Sequence, residues 1–242
     1  MQKCFLINGC NGGLGLELTK RILADGDKVV GFGRSVIEDV YVRRHKSFSF
    51  YKLPCYSTEA FTDCFKLLKS AKNEVTHLIL NGGSALGMTE VMETENLRNC
   101  FEANFFSHVE LLRLTVDEMK DLECVCFVSS VSGSEAHGHP LYSAAKAAVL
   151  AYARSVGRFL SGKGVSVFSV SPGAFVANSG YWYDVSQADA VRYDNFVKSR
   201  LTVSSMPTAN QVADFIYVLC QSHSVNMAGC DYRYDGGQGR SW

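Results

Sequence analysis

Three side chains between residues 126 and 149, CFVSSVSGSEAHGHPLYSAAKAAV, have the types and spacing to move a proton at a carbonyl oxygen. Tyr142 and Lys146 are four apart, which on a helix puts them on one face, one turn from each other. Ser130 stands at the end of an apolar run, across a Ser- and Gly-rich loop from that pair. A phenol, an ammonium and a hydroxyl gathered at one point can pass a proton to or from an oxygen that is gaining or losing a hydrogen. The Tyr–Lys spacing alone is easily met by chance in a chain with eleven tyrosines. The elements around it decide its meaning.

Those elements alternate. Apolar runs at 3–8, 28–32, 47–53, 75–80, 123–129, 165–170 and 230–234 read as strands, the third stopped by Pro54. Between them, Leu14, Leu18 and Ile22 mark a helix, and Ser57 caps another that carries Phe61, Phe65 and Leu68. A long helical pattern covers about 95–119, and a helix with Pro140 in its first turn covers about 140–160. Val212, Phe215, Ile216 and Leu219 mark a last helix, while 174–205 reads as irregular, polar and aromatic-rich. Strands alternating with helices predict an α/β fold: a doubly wound, mostly parallel sheet of about seven strands with helices on both faces. One domain over 1–242 is expected, since neither a solenoid repeat nor a low-complexity linker interrupts the pattern.

Composition narrows the function. The 24 basic and 24 acidic residues leave a formal net charge of zero, so no overall field draws the chain to nucleic acid or to an anionic membrane. No apolar run approaches the ~20 residues that span a bilayer. Neither nucleic acid nor membrane is expected as a partner. The first residues run straight into a strand, and nine cysteines follow no disulfide-framework spacing, which suits a reducing, cytoplasmic compartment. Cys124 and Cys126 alternate along a strand and so face one side, better read as packed small side chains than as metal ligands.

The turn after the first strand, NGCNGGLG, has glycines at Gly9, Gly13 and Gly15. Glycines there let the backbone turn sharply and approach a pyrophosphate seated on the helix N-terminus, with Asn11 and Leu14 in the same turn. A ligand-free tight turn would use the same residues, but the position at the first strand–helix junction favours the ligand. At the end of the second strand, a carboxylate would hydrogen-bond an adenosine ribose and repel a 2′-phosphate. Gly33-Arg34-Ser35 stands there instead, and the Arg34 fork with the Ser35 hydroxyl suits a phosphate. NADP(H) is therefore the expected cofactor, with NAD(H) possible.

Together these segments resemble the short-chain dehydrogenase/reductase superfamily, in its compact single-domain form, over essentially the whole chain. Gly9, Gly13 and Gly15 resemble the family's TGxxxGxG, Leu80-Asn81-Gly82-Gly83 its NNAG, and Ser130-Val131-Ser132-Gly133 its SxxG. Tyr142 to Lys146 is similar to the YxxxK, Pro172-Gly173 to the PG after the sixth strand, and Asn104 falls where the family has an Asn. The resemblance implies a Rossmann-type fold and hydride transfer between the nicotinamide and a carbonyl or secondary alcohol. It implies that Tyr142 is the acid/base, that Lys146 lowers its pKa and holds the nicotinamide ribose, and that Ser130 binds the substrate oxygen. Asn104 would hold a water linking Lys146 to solvent. Asn81, Gly82, Gly83, Pro172, Gly173 and Phe175 join the cofactor-binding set. Ser130 lies twelve residues before Tyr142, one fewer than is common in the family, so Ser129 stays a lesser candidate.

Three positions depart from the family pattern. Asn8 replaces a Thr or Ser, Cys55 stands about where an Asp meets the adenine, and Ala177 replaces a Thr that binds the carboxamide. Backbone groups near Phe175 are expected to serve instead. Residues 174–205, with Tyr181, Trp182, Tyr183 and Tyr193, correspond to the family's mobile substrate lid. His137 and His139 border the site as ordinary loop residues or substrate contacts, without a set that completes a metal site, and Cys10 lies inside the cofactor turn. An NADPH-dependent reductase of a ketone or 3-oxoacyl thioester is expected. A dehydrogenase of a secondary alcohol or sugar-like substrate, and a non-catalytic dinucleotide sensor, are the alternatives. By analogy a homodimer or homotetramer forms through the helix carrying the YxxxK, whose Ala144, Ala145, Ala147, Ala148 and Ala151 permit close approach.

Overall fold

In a computed structural model, the structure describes residues 2–53, 57–68, 74–83, 94–135 and 137–240. Seven strands are present: β1 (Cys4–Asn8), β2 (Lys28–Gly33), β3 (Phe48–Lys52), β4 (His77–Leu80), β5 (Cys124–Val128), β6 (Ser166–Pro172) and β7 (Cys230–Tyr234). They form one sheet in the order β3-β2-β1-β4-β5-β6-β7, parallel at every pairing. From β1 the chain steps outward to β3, then returns to place β4 on the other side of β1. That reversal opens a crevice beyond the carboxyl ends of β1 and β4.

The strands read as unbroken apolar runs because helices cover both faces. On one face Leu6, Phe32, Leu78, Val125 and Phe127 pack against α3 (Thr58–Leu67), α5 (Ser107–Glu118) and α6 (Pro140–Ser161), through Phe61, Leu111, Leu112, Val149 and Ala153. On the other, Phe5, Ile7, Ile79, Cys126, Phe168 and Val170 pack against α1 (Gly13–Ala24) and α9 (Ala209–Gln221), through Leu18, Ile22, Val212 and Ile216. Cys124 and Cys126 do face one side, packed with Cys220. Burial pushes the thiols of both well up.

Helix starts follow local chemistry. Ser57 accepts from the Ala60 N–H to cap α3, and Pro140 opens α6 behind His139, whose ring accepts from the Leu141 N–H. The pattern expected over 95–119 is α4 (Thr94–Phe101) running into α5 through one π-helical turn, Glu102–Phe106. A short helix α2 (Val40–Arg44) also forms, capped by Asp39. The expectation that 174–205 is irregular is corrected: it holds α7 (Tyr181–Ala188) and α8 (Ala190–Arg200). Gly180, at φ 97°, starts α7, and the Asp189 carboxylate accepts from the Arg192 N–H to start α8. The two helices have a small core of their own, in which Ala174, Val197 and Met206 pack with Trp182 and Phe196.

Candidate active site

The crevice is built by backbone contacts that only certain residues allow. The Asn8 side chain accepts from the N–H groups of Asn81 and Gly82, at 2.7 and 2.9 Å, and so ties the end of β1 to that of β4. Asn8 thus bonds across the sheet and not within its own turn. Gly9 has φ 73°, and a Cβ there would come 2.9 Å from the Gly82 Cα. A Cβ on Gly15 would stand 1.8 Å from the Gly9 carbonyl oxygen, so Gly15 is packed under the turn and does not line the cleft. Gly12 and Gly13 face open space.

Helix α1, like α7, has a glycine before its first residue and no capping side chain, whereas Asp39, Ser57, His139, Asp189 and Thr208 cap α2, α3, α6, α8 and α9. Its first-turn N–H groups are donors awaiting an anion. They border a cleft of about 1040 Å³ lined by Gly9, Asn11, Gly13, Leu14, Arg34, Ser35, Asn81, Gly82 and Gly83. The Asn11 amide donates to the backbone oxygen and hydroxyl of Ser35, joining the turn to the end of β2. Two carboxylates not foreseen from the sequence, Glu38 and Asp39, share this wall. Asp39 is committed elsewhere: it caps α2 and pairs with Lys20 at 3.0 Å, and the Val42 N–H foremost holds its carboxyl below the usual range. Uncapped donors, a glycine-lined approach and a guanidinium at the far end fit a dinucleotide phosphate.

A second cleft, of about 860 Å³, meets the first at Gly13, Leu14, Ser179 and Gly180. Ser130 and Tyr142 lie on its wall. Ser130 starts a 3-10 turn, Val131–Gly133, by accepting from the Ser132 N–H at 3.1 Å, and its hydroxyl hydrogen-bonds the Tyr142 phenol. Ser129 is buried and donates instead to the Lys146 carbonyl at 3.1 Å. A Cβ on Gly133 would lie 2.8 Å from the carbonyl carbon of Lys146. This glycine is what lets the Ser130 turn rest on α6.

Lys146 is buried; its ammonium donates to the Val128 carbonyl at 3.0 Å and stands 5.6 Å from the centre of the Tyr142 ring. A Cβ on Gly83 would meet Asn104 Oδ1 at 2.5 Å and Lys146 Nζ at 3.6 Å, so the end of β4, the π-helical turn and α6 converge here. Asn104 is buried in that π-helical turn, and its amide donates to the Cys100 carbonyl at 2.9 Å. π-Helical turns recur at functional sites because they re-aim one side chain out of the helical period.

The expected depression of the Tyr142 pKa by Lys146 is not found. Burial dominates and pushes the phenol up to about 12, offset in part by the Ser130 hydroxyl. The same burial brings Lys146 down to about 8. Removing water penalises the charged form of each, so both sit nearer neutrality than free side chains do.

Other expected residues are placed differently. Gly173 and Phe175 line the second cleft, while Pro172 is buried in β6 beneath it. Gly173 has no room for a Cβ, which would lie 2.8 Å from Asp235 Cα. Near Ala177 the N–H of Val176 donates to the Pro207 carbonyl, its carbonyl accepts from Ala209, and the Ala174 N–H donates to Gln238. Among the described residues the backbone groups of Phe175 and Ala177 make no such hydrogen bond. Cys55 lies outside the described residues. Cys10 is buried against Gly31, and burial pushes its thiol up to about 12, the opposite of a reactive cysteine. His137 and His139 line the second cleft.

Two features carried no sequence signal. His108 is buried on α5 and its Nε2 bonds the Gly82 carbonyl at 2.6 Å, fixing the β4 turn from behind; burial holds its pKa down near 3. His77, Glu123 and His223 gather at the amino ends of β4 and β5, away from the crevice, where both nitrogens of His77 already have partners, Thr76 and the Cys220 carbonyl. Among the described residues no helix is long and apolar enough to cross a membrane.

Comparison with known proteins agrees with this geometry. Residues 3–181 match the family model described as short chain dehydrogenase. The chain is 25% identical over 243 residues to the 3-oxoacyl-acyl-carrier-protein reductase MabA of Mycobacterium bovis, covering 99% of this chain and 94% of that one. It is 25% identical over 248 residues to the acetoacetyl-CoA reductase of Cupriavidus necator, covering 98% of each. Its fold superimposes on that of L-sorbose reductase from Gluconobacter frateurii, solved with NADPH and L-sorbose. The TM-score is 0.89 at 17% identity, over 100% of this chain and 98% of that one. A crevice at the strand-order reversal, an uncapped first helix and a matched family model lead to one statement: the chain belongs to the short-chain dehydrogenase/reductase family and is an NAD(P)-dependent oxidoreductase.

Proposed function

We propose that this protein reduces a small ketone or 3-oxoacyl compound with NADPH, Tyr142 giving the proton to the carbonyl oxygen. The observation that carries the reading is the pairing of the Ser130 and Tyr142 hydroxyls on a cleft that opens into the uncapped, glycine-lined end of α1. Gly9, Gly13 and Leu14 would hold the diphosphate, Arg34 and Ser35 the 2′-phosphate, and Asn81, Gly82, Gly83, Gly173 and Phe175 the nicotinamide half. Gly15 and Pro172 would support that cradle from beneath, and Asn11 would brace it. A bound nicotinamide supplies the hydride. Ser130 donates to the substrate oxygen and fixes its lone pairs toward Tyr142. Tyr142, neutral at physiological pH, protonates the oxygen as negative charge develops there. Lys146 places positive charge behind the phenol and would hold the ribose hydroxyls, and Asn104 would keep a water between Lys146 and solvent. The named activities of MabA and the acetoacetyl-CoA reductase support a 3-oxoacyl substrate.

Cofactor choice turns on one wall of the first cleft. Arg34 and Ser35 favour NADP(H), and the NADPH in the L-sorbose reductase structure supports this. Glu38 is the one observation on the side of NAD(H). Residues 1–242 would act as one catalytic domain, with α7 and α8 as its lid. Eight described cysteines are free thiols, in keeping with a reducing, cytoplasmic setting. The exposed Ala144, Ala147 and Ala151 of α6 support a homodimer or homotetramer.

The test is loss of NADPH absorbance over a ketone panel that includes acetoacetyl-CoA, with NADH in parallel. Tyr142→Phe should lower kcat by about 1000-fold or more without changing NADPH binding. Arg34→Ala should raise KM for NADPH about tenfold and leave NADH alone. Turnover undiminished in Tyr142→Phe would sink the acid assignment, and a wild-type preference for NADH would sink the cofactor assignment.

A further inference from the structure

The second cleft carries charge of one sign. Among the described residues Arg192 and Arg200 line it and neither Asp nor Glu does, in a chain whose 24 basic and 24 acidic residues balance. Both arginines come from α8, eight residues apart with Phe196 midway, a stripe about 12 Å long. Trp182 packs on Phe196 with ring centres 4.2 Å apart, and both rings line the same cleft. Arg192 donates to the Tyr181 hydroxyl and lies 5.5 Å from that ring's centre, which orients it.

Three other arginines are paired. Arg21 pairs with Asp25 and Asp214, Arg113 with Glu110 and Asp117, and Arg233 with Glu135. Among the described residues neither Arg192 nor Arg200 has a carboxylate within the 4.0 Å of an ion pair. Asp189, three residues before Arg192, accepts from the Arg192 backbone N–H and is taken up in capping α8. Two guanidinium forks, aromatic surface on the same wall and, among the described residues, no acid lining the cleft make a binding site for an anion that carries apolar carbon.

We infer that the substrate carries a carboxylate or phosphoryl group, and that Arg192 and Arg200 hold it while Ser130 and Tyr142 hold the carbonyl oxygen. The inference rests on the reductase reading for the second half of that sentence only. Arg192 and Arg200 are specificity-determining residues. They select among carbonyl compounds by charge, and the chemistry at the oxygen is the same whichever is bound.

Two matched pairs of probes test it with the full-length protein: 4-oxopentanoate with its methyl ester, and dihydroxyacetone phosphate with dihydroxyacetone. Wild type, Arg192→Gln, Arg200→Gln and the double variant are assayed for NADPH consumption. The same samples are titrated by Trp182 fluorescence, with Trp182→Phe as the blank. The charged member of at least one pair should have the higher kcat/KM. Each single variant should lose about tenfold for it, in KM and not in kcat, and the double variant about a hundredfold. The neutral member should stay within about twofold, and the pair that responds says whether carboxylate or phosphate is the anion. Equal handling of charged and neutral probes by wild type, or equal losses for both in the variants, overturns the inference and leaves the reductase reading standing. Fluorescence quenching by a charged probe that the double variant abolishes, with no turnover of any probe, upholds the anion site and overturns the reductase reading. Absence of both turnover and charge-dependent quenching overturns the inference.

Discussion

Gly133→Ala tests whether the Ser130–Tyr142 alignment depends on the contact between the 131–133 turn and α6. A Cβ at 133 would stand 2.8 Å from the carbonyl carbon of Lys146, 2.9 Å from its oxygen and 3.0 Å from the Ala147 nitrogen. Carbon–carbon contacts settle at about 3.5 Å or more, so turn and helix must part by roughly 0.7 Å. Neither side can yield locally, because the struck atoms are helix backbone and the turn begins at Ser130 itself. The backbone of Gly133 is not in the left-handed region, so the cost is steric and not conformational. Overpacking of this kind costs about 1–3 kcal/mol, and at ~2–4 °C per kcal/mol for a chain of this size Tm should fall by about 2–12 °C. A reacting group displaced by most of an ångström loses up to ~100-fold in rate, so kcat should fall about 10- to 100-fold. The end of α1 is untouched, and Kd for NADPH should stay within about threefold. Thermal melts, steady-state ketone reduction and a nucleotide titration on one preparation provide the three numbers. An unchanged kcat with a lowered Tm would refute the reasoning, since the strain would then be absorbed without moving Ser130.

Two further outcomes follow from burial. With Lys146 near 8 and Tyr142 near 12, kcat/KM for NADPH, which reports the free enzyme, should fall above pH about 8 by roughly tenfold per unit as Lys146 loses its proton; a profile flat from pH 7 to 10 would contradict this. Cys10 titrates near 12 when folded against 9.0 when free, so its contribution to stability is complete below pH 9 and is lost as pH climbs toward 12. At about 1.4 kcal/mol per pH unit, raising pH from 9 to 10.5 should cost wild type ~2 kcal/mol more than Cys10→Ala in urea unfolding, and equal losses would count against it.

Much of the fold was legible because the physics that makes it is local and repetitive. Parallel strands covered on both faces need apolar side chains at every position, and the runs at 3–8, 75–80 and 123–129 show that directly. Tyr142 and Lys146 were legible as a pair because helical spacing is fixed. Helices α7 and α8 were not, since most of their residues face solvent and only Val185 and Val197 are buried, which leaves no apolar period to read. The five-residue α2 buries only Val42 and gives equally little signal. Long-range contacts were hidden altogether. Nothing in the order of residues shows that Gly83 makes room for Asn104, that Gly133 does so for α6, or that His108 bonds the Gly82 carbonyl. The π-helical turn that aims Asn104 departs from the helical period, so a reading based on that period passes over it.

The sign of the shift at Tyr142 bears on which form of the phenol the free site holds. Sequence spacing shows an ammonium one turn from a phenol and suggests attraction between their charged forms. The fold adds that Lys146 is buried and Tyr142 half-buried on the cleft wall, and desolvation outweighs a charge that stands 5.6 Å from the ring centre and already donates to Val128. The free site therefore keeps the phenol protonated across the physiological range. Reduction needs a proton donor at the moment an alkoxide forms, and an alkoxide is a stronger base than a phenolate, so the transfer runs downhill from the resting state. Alcohol oxidation needs the phenolate as base, the form that burial opposes. A phenol held protonated in the free site is the form that the proposed reduction uses.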